Sequence, residues 1–245
     1  MKYLGKFIIL GAVLAASTNL AYASSFTLGS YASGTASHGN ANSSLTFTGV
    51  DFTSGTPTSP PVFGTPFVAP TFTLSPGSVW DAALTGSTWV GAAPNVGPGG
   101  SLNPPYGYYE FTTTFGATAG SYSGTLNVLA DDTVEVLLNG NVLIPFGDLG
   151  NDALCSQYPT GCLASTETSL PLSGLSLDAS NTLEFIVEQA GNVSGPAGSD
   201  PSGVDFSASL SSTVTPEPNS LFLLGTGLLG AAGIARRKFL SKIAG

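Results

Sequence analysis

Apolar residues recur at every second position along much of the chain. In "YYEFTTTF" Tyr109, Phe111, Thr113 and Phe115 share one side, in "TLNVLA" Leu126, Val128 and Ala130 do, and in "TVEVLLNG" Val134, Val136 and Leu138 do. The alternation returns with Leu183, Phe185 and Val187, and again with Val204, Phe206, Ala208 and Leu210. Successive side chains of a strand point to opposite faces, so a period of two over short Thr-, Val- and Phe-rich runs predicts strands with one buried face. Further strands are predicted at 26–30, 45–48 and 71–74. Many short strands with one apolar face each must close over one another, and the expected fold is all-β, an antiparallel jelly-roll β-sandwich over residues 24–212.

The punctuation between these runs supports the same reading. Asn139-Gly140 supplies the positive φ angles of a type I′ hairpin, and Asp131-Asp132 can hydrogen-bond their own backbone at a turn. The Pro-rich stretch 55–70 lacks the amide donors a central strand needs, which predicts an irregular surface connection or, alternatively, a divider between a small N-terminal piece and the main sandwich.

Charge changes the picture more than composition does. All six Lys and Arg residues are terminal, so that no cation lies between Phe7 and Ala235, where all 15 Asp and Glu residues sit. A polyanionic body cannot neutralise phosphates, which excludes nucleic acid as a partner and disfavours phosphate cofactors and Schiff-base chemistry. Residues 1–23 carry two lysines, a short apolar run and Ala21-Tyr22-Ala23, the order of a secretory signal peptide cut by signal peptidase before Ser24.

The other end pairs a Pro-rich spacer, 213–219, with an apolar run and then Arg236, Arg237 and Lys238. The run, 221–235, is somewhat short for a spanning helix, and the basic cluster behind it would stay cytoplasmic. Pro216-Glu217-Pro218, the apolar segment and the arginines together resemble the PEP-CTERM sorting signal of exported Gram-negative proteins. The resemblance implies a transmembrane anchor with its basic cluster over 220–239, transient residence in the inner membrane, and processing by an exosortase. Delivery to the cell surface or the extracellular matrix follows, typically in bacteria that make exopolysaccharide.

A second resemblance lies in "LNVLADDTVEVLLNG", residues 126–140, which is similar to the strand, Asp-Asp turn, strand and Asn-Gly turn of galactose-binding-like jelly-roll modules. Many of these carry carbohydrate-binding functions, which implies an extracellular polysaccharide as partner. The aromatic cluster upstream supplies candidate stacking rings, Trp89, Tyr106 and Tyr108, each of which could instead pack the core. Asp148, Asn151 and Asp152, and the pair Asp131 and Asp132, form two oxygen-rich turns suited to a structural calcium ion or simply to solvation. Cys155 and Cys162 flank a short turn and, in an exported chain, predict a disulfide. His38 is the one histidine and lies in a Gly/Ser/Asn-rich stretch, so no catalytic triad is expected. Glycoside hydrolysis would need two of Glu110, Glu135, Glu184 and Glu188 paired in space. The sequence favours a non-enzymatic protein associated with polysaccharide, with a purely structural matrix protein as the alternative.

Overall fold

The computed structural model describes residues 25–29, 38–52, 60–149, 155–156, 158–190 and 194–212, with six further residues between 226 and 233. By its contacts the chain divides into two units, Ser24–Thr213 on one hand and Met1–Ala23 with Val214–Gly245 on the other. The signal-peptide segment 1–23 and the spacer 213–219 lie outside the described residues, as does most of 220–239. Thr226, Gly227, Leu229, Gly230, Ala232 and Gly233 are helical and exposed. Among the described residues no helix is long and apolar enough to cross a membrane.

Unit Ser24–Thr213 is all-β. Its strands are β1 (Ser25–Gly29), β2 (Ala41–Phe52), β3 (Ala69–Thr73), β4 (Val90–Gly91), β5 (Gly107–Gly116), β6 (Gly120–Asp131), β7 (Thr133–Leu138), β8 (Asn141–Ile144), β9 (Thr168–Leu177), β10 (Ser180–Gln189) and β11 (Gly203–Ser212). Every pairing is antiparallel, in the order β8-β7-β10-β5-β2-β3-β4-β11-β6-β9, with β1 on β11. The expected sandwich is refined here. Its two halves, β8-β7-β10-β5-β2 and β11-β6-β9, pack face to face, but the short strands β3 and β4 bridge them into one sheet, a nearly closed barrel.

The alternating residues do what their period demands. Phe111, Val128, Val134, Val136, Phe185, Val187, Val204 and Phe206 are all buried in one cluster drawn from both halves, and the Phe185 and Phe206 rings meet across it at 4.5 Å. The two ends of the sheet are blunted. β9 carries Pro171 and Gly174 and is largely exposed, as befits an edge strand whose outer amides have no ladder to join. Asn139 and Gly140 have φ of 50° and 76°, and Leu138 pairs with Asn141, so the type I′ hairpin forms as the sequence requires. The Asp131-Asp132 turn differs from expectation. It joins β6, which pairs with β9 and β11, to β7, which pairs with β8 and β10, and so carries the chain from one half of the barrel to the other. Residues 60–68 are irregular, as their prolines predict, while 53–59 lie outside the described residues.

Candidate functional site

The unused hydrogen-bonding surface of the barrel gathers in a cleft of about 540 Å³ where β1, β2, β5, β6 and β11 approach one another. Thr114, Thr125, Asn127 and Ser209 line it from strand positions where alternation turns side chains away from the apolar core, and Thr85 joins them from the 84–87 turn. Thr85, Thr114 and Ser209 are exposed, and Thr125 and Asn127 half-buried. Among the described residues no hydrogen bond within the protein occupies these four hydroxyls or the Asn127 amide. The lining holds no charged group. The 84–87 turn at its rim is tethered: the Leu84 amide donates to the Asp205 carboxylate at 2.8 Å, and Ser87 donates through both its amide and hydroxyl to the Leu84 carbonyl. Asp205 reaches this turn from fully buried ground on β11. Sequence reasoning missed the cleft because its residues are Ser and Thr at the polar positions of strands, which read as ordinary solvent-facing residues.

The aromatic residues expected to stack on sugars sit elsewhere. Trp89 is wholly buried, stacked on Trp80 with ring centroids 4.2 Å apart in a second apolar cluster with Leu129 and the disulfide. Its indole donates to the Asp81 carbonyl at 3.0 Å, so neither its face nor its N–H is open to a ligand. Tyr108 is 4% exposed, covered by Phe146 at 5.5 Å. Both rings are packed away from solvent, Trp89 against Trp80 and Tyr108 beneath Phe146, outside the main core between the two halves. Tyr106 is half-buried and keeps part of its surface.

The acidic turns are likewise redistributed. Asp131 and Asp132 are buried, not solvated. Asp131 Oδ2 accepts from the Trp80 indole at 2.5 Å, and Asp132 Oδ2 from the Ala190 amide at 2.6 Å. Burial first, and the neighbouring Asp132 carboxyl second, hold Asp131 well above the usual carboxylate range, and burial pushes Asp132 up to about 8. One oxygen of each carboxyl is engaged in these hydrogen bonds, while Asp131 Oδ1 is buried without a hydrogen-bond partner. Among the described residues no three His, Cys, Asp or Glu side chains converge in the manner of a metal site. Asp148 is held by its backbone, its amide donating to the Tyr158 carbonyl and its carbonyl accepting from Ser156 Oγ, and Asn151 and Asp152 lie outside the described residues.

The Cys155–Cys162 disulfide forms, with Cα atoms 5.6 Å apart. It fixes a loop whose backbone is stitched to the crossing turn: Ser156 N donates to the Asp132 carbonyl and Ala130 N to the Gly161 carbonyl.

The four strand glutamates fall on the outer face of β5, β7 and β10. Glu110 and Glu135 flank Ile186, while Glu188 lies opposite Tyr108. Burial pushes Glu188 up to about 7 and, with the neighbouring acids, Tyr108 up to about 12. Burial, and then the neighbouring Glu110 and Glu135 carboxylates, also raise Glu184.

Comparison with known proteins bears on the two units separately. Residues 214–238 match the PEP-CTERM protein-sorting motif, so the chain carries a signal for export with membrane anchoring before processing. The solved structures it resembles include a family 35 carbohydrate binding module from Clostridium thermocellum, at 18% identity and a TM-score of 0.29, covering 57% of this chain and 86% of the module. They also include a β-glucosidase from Kluyveromyces marxianus, at 14% identity and a TM-score of 0.25, where the likeness covers 54% of this chain and 14% of the enzyme. No curated protein matches the sequence.

Proposed function

We propose that this is an exported, exosortase-processed protein of the cell surface or extracellular matrix, and that its barrel holds neutral polysaccharide without turning it over. The observation that carries the reading is the cleft of unoccupied hydroxyls at Thr85, Thr114, Thr125 and Ser209 with the Asn127 amide, on a chain whose sorting motif directs it outward. Hydroxyl and amide groups both donate and accept, which suits a ring that presents hydroxyls on every side. The absence of Lys and Arg from residues 7–235 sets the specificity, since uronate- or sulfate-bearing polymers would meet a net negative body with no cation to pair with.

Affinity electrophoresis of the purified chain in gels containing neutral or uronate-rich polysaccharide tests this. Retardation is expected in the neutral gels, lost in Asn127→Leu and Thr114→Val variants that keep the native circular dichroism spectrum. Equal mobility in every gel would reject sugar recognition and leave a purely structural matrix role.

A further inference from the structure

A second cavity has a lining with no residue in common with the hydroxyl cleft, and its chemistry is the opposite. Its volume is about 270 Å³ and it is walled by Phe47, Phe52, Phe67, Tyr109 and Phe111, with Val96 also in the lining. The rings form a connected box: Phe47 meets Phe67 edge-on at 5.0 Å, lies 5.4 Å from Phe111 and 6.2 Å from Tyr109, and Tyr109 meets Phe52 at 5.9 Å. Phe52 is 57% exposed and Phe67 38%, so two of the largest exposed apolar side chains of the barrel sit on one rim.

We infer that this cavity is a binding site for a small, uncharged apolar molecule, of the size of two or three fused or linked rings. Three observations converge on that class. The cavity of about 270 Å³ is lined almost wholly by apolar side chains, so water in it has few polar partners and is readily displaced by an apolar guest. The two hydroxyls in the wall have committed their protons, Tyr109 donating to the Pro105 carbonyl at 2.8 Å and Ser202 to the Asp131 carbonyl at 3.3 Å, so neither side chain offers a guest a donor. Charge excludes the commonest apolar ligands with a polar head. A fatty acid needs a cation at the mouth, and none lies between residues 7 and 235. No charged side chain lies in the lining to pair with an ionic head of either sign, so the matching guests are neutral hydrocarbon-like or aromatic molecules, for which flat rings stacked or edge-on against five aromatic walls give the best contact.

The test uses the full chain and the neutral fluorophore N-phenyl-1-naphthylamine, with its charged relative 8-anilinonaphthalene-1-sulfonate as the contrast. The neutral dye should bind at a single saturable site, one per chain, and the sulfonate at least tenfold more weakly. Ala92→Phe, which places a ring in the cavity, should weaken the neutral dye at least tenfold while near-ultraviolet circular dichroism stays native. Should that variant fail to fold, Phe52→Ser at the exposed rim decides, with at least a threefold loss expected. Thr114→Val in the hydroxyl cleft should leave dye binding unchanged, which separates this site from the polysaccharide site. The inference is overturned by absence of saturable binding, by a sulfonate that binds equally well, or by unchanged affinity in both natively folded cavity variants. Dye uptake that tracks self-association in sedimentation velocity would also overturn it, assigning the rim to a contact between copies of the chain.

Discussion

Asp131 and Asp132 sit where the chain crosses between the two halves of the barrel, buried and without a basic residue to meet them. Burial penalises the charged form, so each is held above its ordinary value near 4, as is Glu188, at about 7. A carboxyl whose folded value is raised binds its proton more tightly folded than unfolded. Its stabilisation is complete below about pH 4 and is lost as pH climbs through the folded values, here up to about 8 for Asp132. The melting temperature should therefore be higher at pH 5 than at pH 8.5, and Asp132→Asn, which can still accept from the Ala190 amide, should flatten that slope. A melting temperature that rises over the same interval would contradict the account. Trp80 adds a second measurable contribution through its indole donor to Asp131. Trp80→Phe keeps most of the packing against Trp89 but strands a buried acceptor, and urea denaturation at pH 5 should register a loss of about 1–3 kcal/mol.

Among the elements, the β6–β7 crossing is held from outside by the disulfide loop. Cys155 and Cys162 are seven residues apart, and closing so short a loop stabilises by roughly 2.5 kcal/mol in the chain-entropy treatment. A Cys155→Ser/Cys162→Ser double variant should lose about that amount in urea titration, whereas a loss near zero would mean that the backbone bonds from Ala130 and Ser156 suffice. Gly124 marks a different constraint. At this position β6 shifts register against β9, and a Cβ here would stand 1.9 Å from the Ser209 carbonyl oxygen of β11. Gly124→Ala should consequently force β6 and β11 apart and cost about 1–3 kcal/mol by thermal unfolding. These elements also show what the sequence could reveal. β5, β6, β7, β10 and β11 were legible because apolar residues recur at every second position of each, although Tyr108, Leu129, Ile186 and Asp205 bury part of the second face as well. β4, with two residues, and β9, an edge strand interrupted by Pro171 and Gly174, carry too little alternation to be seen. The hairpin at Asn139-Gly140 was legible because its φ angles demand those residues. The destination of the chain after Asp131-Asp132 was not, since a turn motif fixes local geometry and leaves open which strands it connects. Trp89 and Tyr108 illustrate the same boundary: composition announces large rings, but only the packing decides whether a ring faces solvent.

At the scale of the whole molecule, the segregation of charge organises both export and binding. A body with no Lys or Arg between residues 7 and 235 can cross a membrane without moving cations against the potential, and the same lack of cations underlies the two proposals made above, neutral glycans in one cleft and neutral apolar guests in another cavity. The basic cluster and the sorting motif within 214–238 have separable tasks on this view. On the proposed export route Arg236, Arg237 and Lys238 would retain the tail on the cytoplasmic side, while Pro216-Glu217-Pro218 would be read from the far side by the processing enzyme. Two variants expressed in an exosortase-bearing host distinguish them. Pro216→Ala with Pro218→Ala should leave an intact precursor accumulating in the inner-membrane fraction with little protein released. Replacing all three basic residues by Glu should instead deplete the membrane-bound precursor, because the positive-inside restraint on the tail is gone. If both variants were released like the unaltered chain, retention and recognition would reside outside residues 214–238, and the division of labour drawn from the charge pattern would fail.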